Sequence, residues 1–135
     1  MKVSGILETV IYTDQLKACE EFYTAILGLK FVSREENKFV FLQCRHRMLL
    51  IFNPQATATQ THLPKHGAHG PQHVAFAVPG AELDQWHKVL IDHGVIIEQD
   101  MQWENGSRSL YFRDPADNSV ELASPIIWNL PENLP

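Results

Sequence analysis

The chain is short of cysteine, of basic charge and of long apolar stretches. Its two cysteines, Cys19 and Cys44, stand far apart with no CxxC spacing. They read as reduced thiols of a cytoplasmic protein, and neither has a neighbour that would activate it as a nucleophile. Net charge is −5, and the longest basic cluster is Arg45-His46-Arg47. That cluster is too short for a nucleic-acid-binding face and reads as a turn between strands. No run of about 18 apolar residues exists, so no membrane span is expected. The opening Met1-Lys2-Val3-Ser4-Gly5 lacks the apolar core of a signal peptide.

Apolar residues make up 44% of the 135 and charged residues 20%. Such a chain buries a real core, as one domain or as two very small modules. The pattern favours two. A strand reading over residues 6–13 precedes an amphipathic helix with Leu16, Cys19, Phe22, Tyr23, Ile26 and Leu27 on a 3-4 spacing. Asp14 suits its N-cap and Gly28 its C-terminal stop. Strand patterns then cover residues 29–33, 38–44 and 48–53, the first two joined by a turn at Glu36-Asn37. The order returns about 65 residues later. A strand over 73–78 precedes a helix over about 81–93, with Leu83, Trp86, Val89 and Leu90 inward and Gly94 ending it. Strands follow over 95–99, 108–113 and 119–124. Asp114-Pro115-Ala116-Asp117-Asn118 makes the last turn, with Asn118 suited to a left-handed conformation. The reading is βαβββ twice. The first module spans 1–53, a polar linker or lid 54–71, the second module 72–124 and a tail 125–135, within one structural domain. Repeats of this kind pair because each half alone buries too little.

Strand parity then sorts the faces. Val74, Phe76 and Val78 oppose His73, Ala75 and Ala77. Val120 and Leu122 oppose Glu121 and Ala123. Leu7, Thr9 and Ile11 oppose Glu8, Val10 and Tyr12. The bulky faces should meet the helices, and the faces carrying Glu8, His73 and Glu121 should line a cavity. Singly, each polar residue reads as solvated. Together, one histidine and two carboxylates on three strands point to a divalent metal.

Six fragments span almost the whole chain: Asp14-Gln15-Leu16, Phe22-Tyr23, Leu27-Gly28-Leu29, His73-Val74-Ala75-Phe76, Tyr111-Phe112-Arg113-Asp114-Pro115 with Asn118, and Val120-Glu121-Leu122. In order and spacing they resemble the vicinal oxygen chelate superfamily, which includes glyoxalase I, extradiol dioxygenases and bleomycin-resistance proteins. The resemblance implies an α+β fold in which two βαβββ modules form a cupped, partly closed β-barrel around a metal. It also implies Glu8, His73 and Glu121 as ligands, and a homodimer that in some members builds the cup from modules of two chains. The strand over 48–53 has no acid where glyoxalase I supplies one.

The expectation is a metal-dependent lyase or isomerase of glyoxalase type. Its small-molecule substrate would chelate the ion through adjacent oxygens. An extradiol-type dioxygenase and a non-enzymatic drug- or metabolite-sequestering protein are the alternatives. Carboxylate-rich ligation suits Mn, Fe, Ni or Zn. Glu121 or Glu8 would move a proton. Tyr111 would donate a hydrogen bond to substrate, or else simply pack. Arg108 would bind an anionic group, or else end a strand in solvent. Tyr12 shares the face of Glu8. The histidine-bearing linker reads as a flexible lid from which His66 or His69 would reach the pocket, whereas His46, His87 and His93 read as surface groups. Trp103 and Trp128 would cap the pocket or a dimer contact, and the tail would run extended over the surface.

Overall fold

The structure, a computed structural model, describes residues 1–133. It divides into two compact units, Met1–Gly70 and the part from Pro71 onward. The first contains β1 (Glu8–Tyr12), α1 (Leu16–Ala25), β2 (Lys30–Glu35), β3 (Phe39–Cys44) and β4 (Arg47–Phe52). Its linker segment carries a short helix, α2 (Pro54–Thr59). The second contains β5 (His73–Ala77), a 3-10 turn (Gly80–Glu82), α3 (Leu83–Asp92), β6 (Ile97–Gln102), β7 (Arg108–Arg113) and β8 (Ser119–Ala123). A 3-10 turn at Pro125–Trp128 follows.

Both units have the same topology. The open four-stranded sheets run β1-β4-β3-β2 and β5-β8-β7-β6. In each, the first and last strands pair in parallel and the other neighbours antiparallel. Two-residue hairpins cannot join a parallel pair, so the helix and two strands form the crossover. The α+β architecture of two βαβββ modules is therefore as the repeat implied.

One face of each sheet is the core. In the first unit Ile11, Val40, Leu42, Leu49 and Ile51 pack with Leu16, Cys19, Phe22 and Tyr23 of α1, all buried. In the second, Val74, Leu110, Phe112, Val120 and Leu122 pack with Leu83 and Leu90 of α3. Each fully buried aliphatic side chain contributes about 1.5–3 kcal/mol. Gly28 and Gly94 adopt φ of 71° and 73°, which lets the chain reverse as the helices end. Leu29 N–H then bonds the Tyr23 carbonyl at 3.0 Å, and Val95 N–H the Leu90 carbonyl at 2.9 Å.

Several local expectations need correction. Gln15, not Asp14, caps α1, and its amide is met by the Thr13 hydroxyl at 2.9 Å. Leu7 is 71% exposed, because α1 lies over β3 and β2 and leaves the approach to β1 uncovered. The linker is not structureless throughout: Asn53 accepts the Gln55 amide and starts α2. Asp117, not Asn118, takes the left-handed conformation, with φ of 66°. The tail curls instead of extending. Pro125–Trp128 forms its turn, Asn129 has φ of 55°, and Glu132 accepts the Gly80 amide at 2.7 Å and the Ser124 hydroxyl at 3.0 Å. Residues 134 and 135, the end of the expected tail, lie outside the described residues.

Candidate metal centre

The second unit brings together His73, Glu121 and Tyr111. Their placement begins at the turn between β7 and β8. One Asp114 carboxylate oxygen accepts the amides of Ala116 and Asn118, each at 2.9 Å. The other accepts the Asn118 side-chain amide at 3.0 Å. Asn118, 1% exposed, then uses its own side-chain oxygen to accept the Gln72 amide at 2.9 Å. Ser119 N–H bonds the Gln72 carbonyl at 2.8 Å. These bonds fix the start of β5 against the start of β8. His73 therefore sits opposite Ser119, Ala75 opposite Glu121, and Glu121 opposite Tyr111 on β7.

His73 Nδ1 lies 3.1 Å from the Ser119 carbonyl oxygen. A carbonyl only accepts, so Nδ1 carries a proton, and a ring with that tautomer has its lone pair at Nε2. That nitrogen faces Glu121 Oε2 at 3.4 Å. Two lone-pair bearers so close repel unless a proton or a cation lies between them. The Glu121 side chain is 7% exposed, and its buried Oε1 has no hydrogen-bond partner among the described residues. An unsatisfied buried acceptor costs about 1–3 kcal/mol, more when charged. Donors of this chemistry suit a divalent cation. Two donors about 2.1 Å from one ion stand roughly 3.0–3.4 Å apart, and a histidine fixed through its other nitrogen is the usual metal-binding form.

Tyr111 stacks beside His73, ring centres 6.4 Å apart and planes 23° from parallel. Burial, and then the Glu121 carboxylate, push its hydroxyl above the ordinary phenol range, while a hydrogen bond with Ser109 pulls the other way. Ser109, fully buried and two residues earlier on β7, accepts the Trp103 indole N–H at 2.9 Å. Ser109 had no signal of its own in the sequence. Parity from Tyr111 would have placed it on the same face, but nothing marked its indole partner.

Glu8 opens β1 in the first unit, exposed and opposite Met48. Among the described residues no group of three His, Cys, Asp or Glu side chains is gathered closely enough to hold a metal. Tyr12 shares the face of Glu8 and is hydrogen-bonded to His66 Nδ1 at 2.6 Å, and burial raises its hydroxyl pKa. The His66 ring also meets Phe52 edge-on at 5.3 Å. So His66 rests on that face of its own unit. Large aromatic side chains cover the face that parity assigned to a cavity: Phe39 and Phe41 stack at 4.2 Å, and Phe41 meets Phe52 at 5.3 Å. Arg108 is not held ready for an anionic substrate. Asp100 engages it through two bonds of 2.6 Å and Asp84 through one of 2.5 Å, which holds the guanidinium firmly charged. Cys19 is buried, and burial pushes the Cys44 thiol up, so neither is an activated nucleophile.

A repeated βαβββ unit that turns a histidine and a carboxylate onto one sheet face agrees with a wider relationship. A sequence model of the Glyoxalase/Bleomycin resistance protein/Dioxygenase superfamily matches residues 5–122, and the chain belongs to that superfamily. It is similar to a crystal structure of lactoylglutathione lyase from Agrobacterium tumefaciens, with 38% identity and a TM-score of 0.92 over 96% of this chain and 100% of that one. It is also 26% identical over 129 residues to the metallothiol transferase FosB of Bacillus licheniformis, covering 95% of this chain and 80% of the relative. A glyoxalase/bleomycin resistance protein/dioxygenase structure from Nocardioides shares the fold, with 22% identity and a TM-score of 0.74 over 92% of this chain and 85% of that one.

Proposed function

We propose that the protein is a divalent-metal-dependent enzyme of glyoxalase type, a lyase or isomerase. Its substrate is a small molecule that offers two adjacent oxygens to the ion. The observation that carries this reading is the buried, unpartnered Glu121 Oε1 beside a His73 Nε2 left free by its partner carbonyl. His73 and Glu121 are two ligands, and Glu8 is the third. Mn, Fe, Ni and Zn suit one nitrogen and two carboxylates. The bound ion supplies Lewis-acid stabilisation of negative charge on a substrate oxygen. Glu121 accepts or returns the proton that moves, with Glu8 as the other candidate, and Tyr111, its register partner on β7, acts on that carboxylate through its hydroxyl. The likeness to lactoylglutathione lyase is stronger than that to FosB and favours lyase chemistry over thiol transfer.

Metal analysis of protein purified without chelator tests the reading. One bound ion per site, a melting temperature raised by Ni, Mn, Fe or Zn, and turnover in a lactoylglutathione lyase assay are expected. Absence of metal and of any thermal shift would sink it. Oxygen uptake with catechols by the iron form would replace it with ring cleavage. Mixing Glu8→Gln and His73→Ala copies locates the third ligand. One restored site per mixed homodimer assigns Glu8 to a second copy, and none assigns it to the same chain.

A further inference from the structure

The hydrogen-bonding groups behind Tyr111 run in one direction. An indole N–H can only donate and a carboxylate can only accept, whereas serine and tyrosine hydroxyls do both. Trp103 donates to Ser109 at 2.9 Å, which leaves the Ser109 hydroxyl proton to be given onward. Ser109 is fully buried, so water does not compete for that proton. Tyr111 is two residues along the same strand, and Glu121 is its register partner on β8. The two ends are braced. The turn carrying Trp103 is closed by Trp103 N–H to the Ser107 carbonyl and Gly106 N–H to the Trp103 carbonyl, both 2.9 Å. Asn105 ties the same turn to the Ile126 carbonyl at 2.9 Å. At the other end the Tyr111 ring lies against His73.

We propose that Trp103, Ser109 and Tyr111 form a one-way hydrogen-bond chain that aims the Tyr111 hydroxyl at the Glu121 carboxylate. Ser109 and Trp103 are then positioning residues, acting on the centre only through Tyr111. The importance of the chain to metal binding rests on the reading of Glu121 as a ligand. A ligating carboxylate held by a directed donor keeps its remaining lone pairs oriented, and losing such a partner costs about 10–100-fold in metal affinity.

The chain itself is tested without metal, by the Trp103 indole proton resonance in isotope-labelled protein. Ser109→Ala should move it strongly, as the acceptor is lost. Glu121→Gln should move it in the wild-type background and not in Tyr111→Phe. An equal response with and without the Tyr111 hydroxyl overturns the proposal. Calorimetric titration with Ni2+ supplies the second readout. Ser109→Ala and Tyr111→Phe should each weaken binding by on the order of 10-fold, the double variant no more than Tyr111→Phe alone, and Ser109→Thr should restore much of the loss. Trp103→Phe should give a smaller loss of the same sign. Additive losses overturn the chain. A wild-type protein that binds no Ni2+, Mn2+, Fe2+ or Zn2+ removes the metal reading, and the indole resonance still decides the chain.

Discussion

The two modules share one topology and carry opposite chemistry on the sheet face away from the helix. Aligning Glu8 with His73 as the first residues of β1 and β5 pairs off the rest through strand register. Glu121 lies across from Ala75, and in the first module Leu50 lies across from Val10. Tyr111 is opposite Glu121, as Phe41 is opposite Leu50. Ser109 is opposite Ala123, as Phe39 is opposite Phe52. So Glu121, Tyr111 and Ser109 of the second module correspond to Leu50, Phe41 and Phe39, all large and apolar, in the first. The helix-facing sides stay alike, since both must bury a core, and the other sides are free to diverge. One face became polar and directed. Its counterpart became an aromatic floor with acids, Glu8 and Glu35, only on its outer strands.

The strongest way to break this comparison is to put the polar set on the wrong module. Leu50 is 8% exposed, so Leu50→Glu buries an unpaired carboxylate and should destabilise by about 3 kcal/mol in chemical denaturation. Adding Glu8→His should recover part of that loss only when Ni2+ is present. Removing the acid from the proper module does the converse. Glu121→Gln should weaken metal binding by on the order of 100-fold, about 2.7 kcal/mol, by calorimetry. In metal-free protein the same change should leave the melting temperature equal or higher, because the buried negative charge is gone.

Asn118→Ala strands the Gln72 amide and one oxygen of Asp114, and should cost about 2 kcal/mol in urea unfolding. The smallest effect concerns Asp100. Hydrogen bonds from Arg108 hold its carboxyl below the ordinary range. Its stabilising contribution is therefore present above the usual carboxylate pKa and fades as pH falls through the lowered folded value. The stability gap between wild type and Asp100→Asn should close on acidification. It should stay below about 1 kcal/mol throughout, because solvent screens the pair.

Much of this was legible in the sequence, and the reasons for the rest are specific. The helix stops at Gly28 and Gly94, the duplicated order and the parity of His73 and Glu121 all follow from local periodicity. The aromatic floor did not, because Phe39, Phe41 and Phe52 look like core residues until register shows which face they share. Leu7 was misplaced for the opposite reason: alternation gives the face but not whether a helix reaches it. The Asp117 conformation turned on Asn118 being recruited by Gln72, a partner 46 positions away. The Trp103–Ser109 bond is likewise set by how a turn folds back, which neither residue announces.

His73 is the first residue of its strand, immediately beyond the linker. Function at that position is a matter of even or odd. A slip of one residue as β5 zips against β8 would turn the imidazole toward α3 and bring Val74 to the outer face. Such a chain would keep much of its secondary structure, yet lose the pairing of His73 with Glu121 on which the proposed metal site rests. The Gln72 clamp thus acts as a proofreader of assembly, and its loss should appear as a protein that folds in two populations, one competent and one silent.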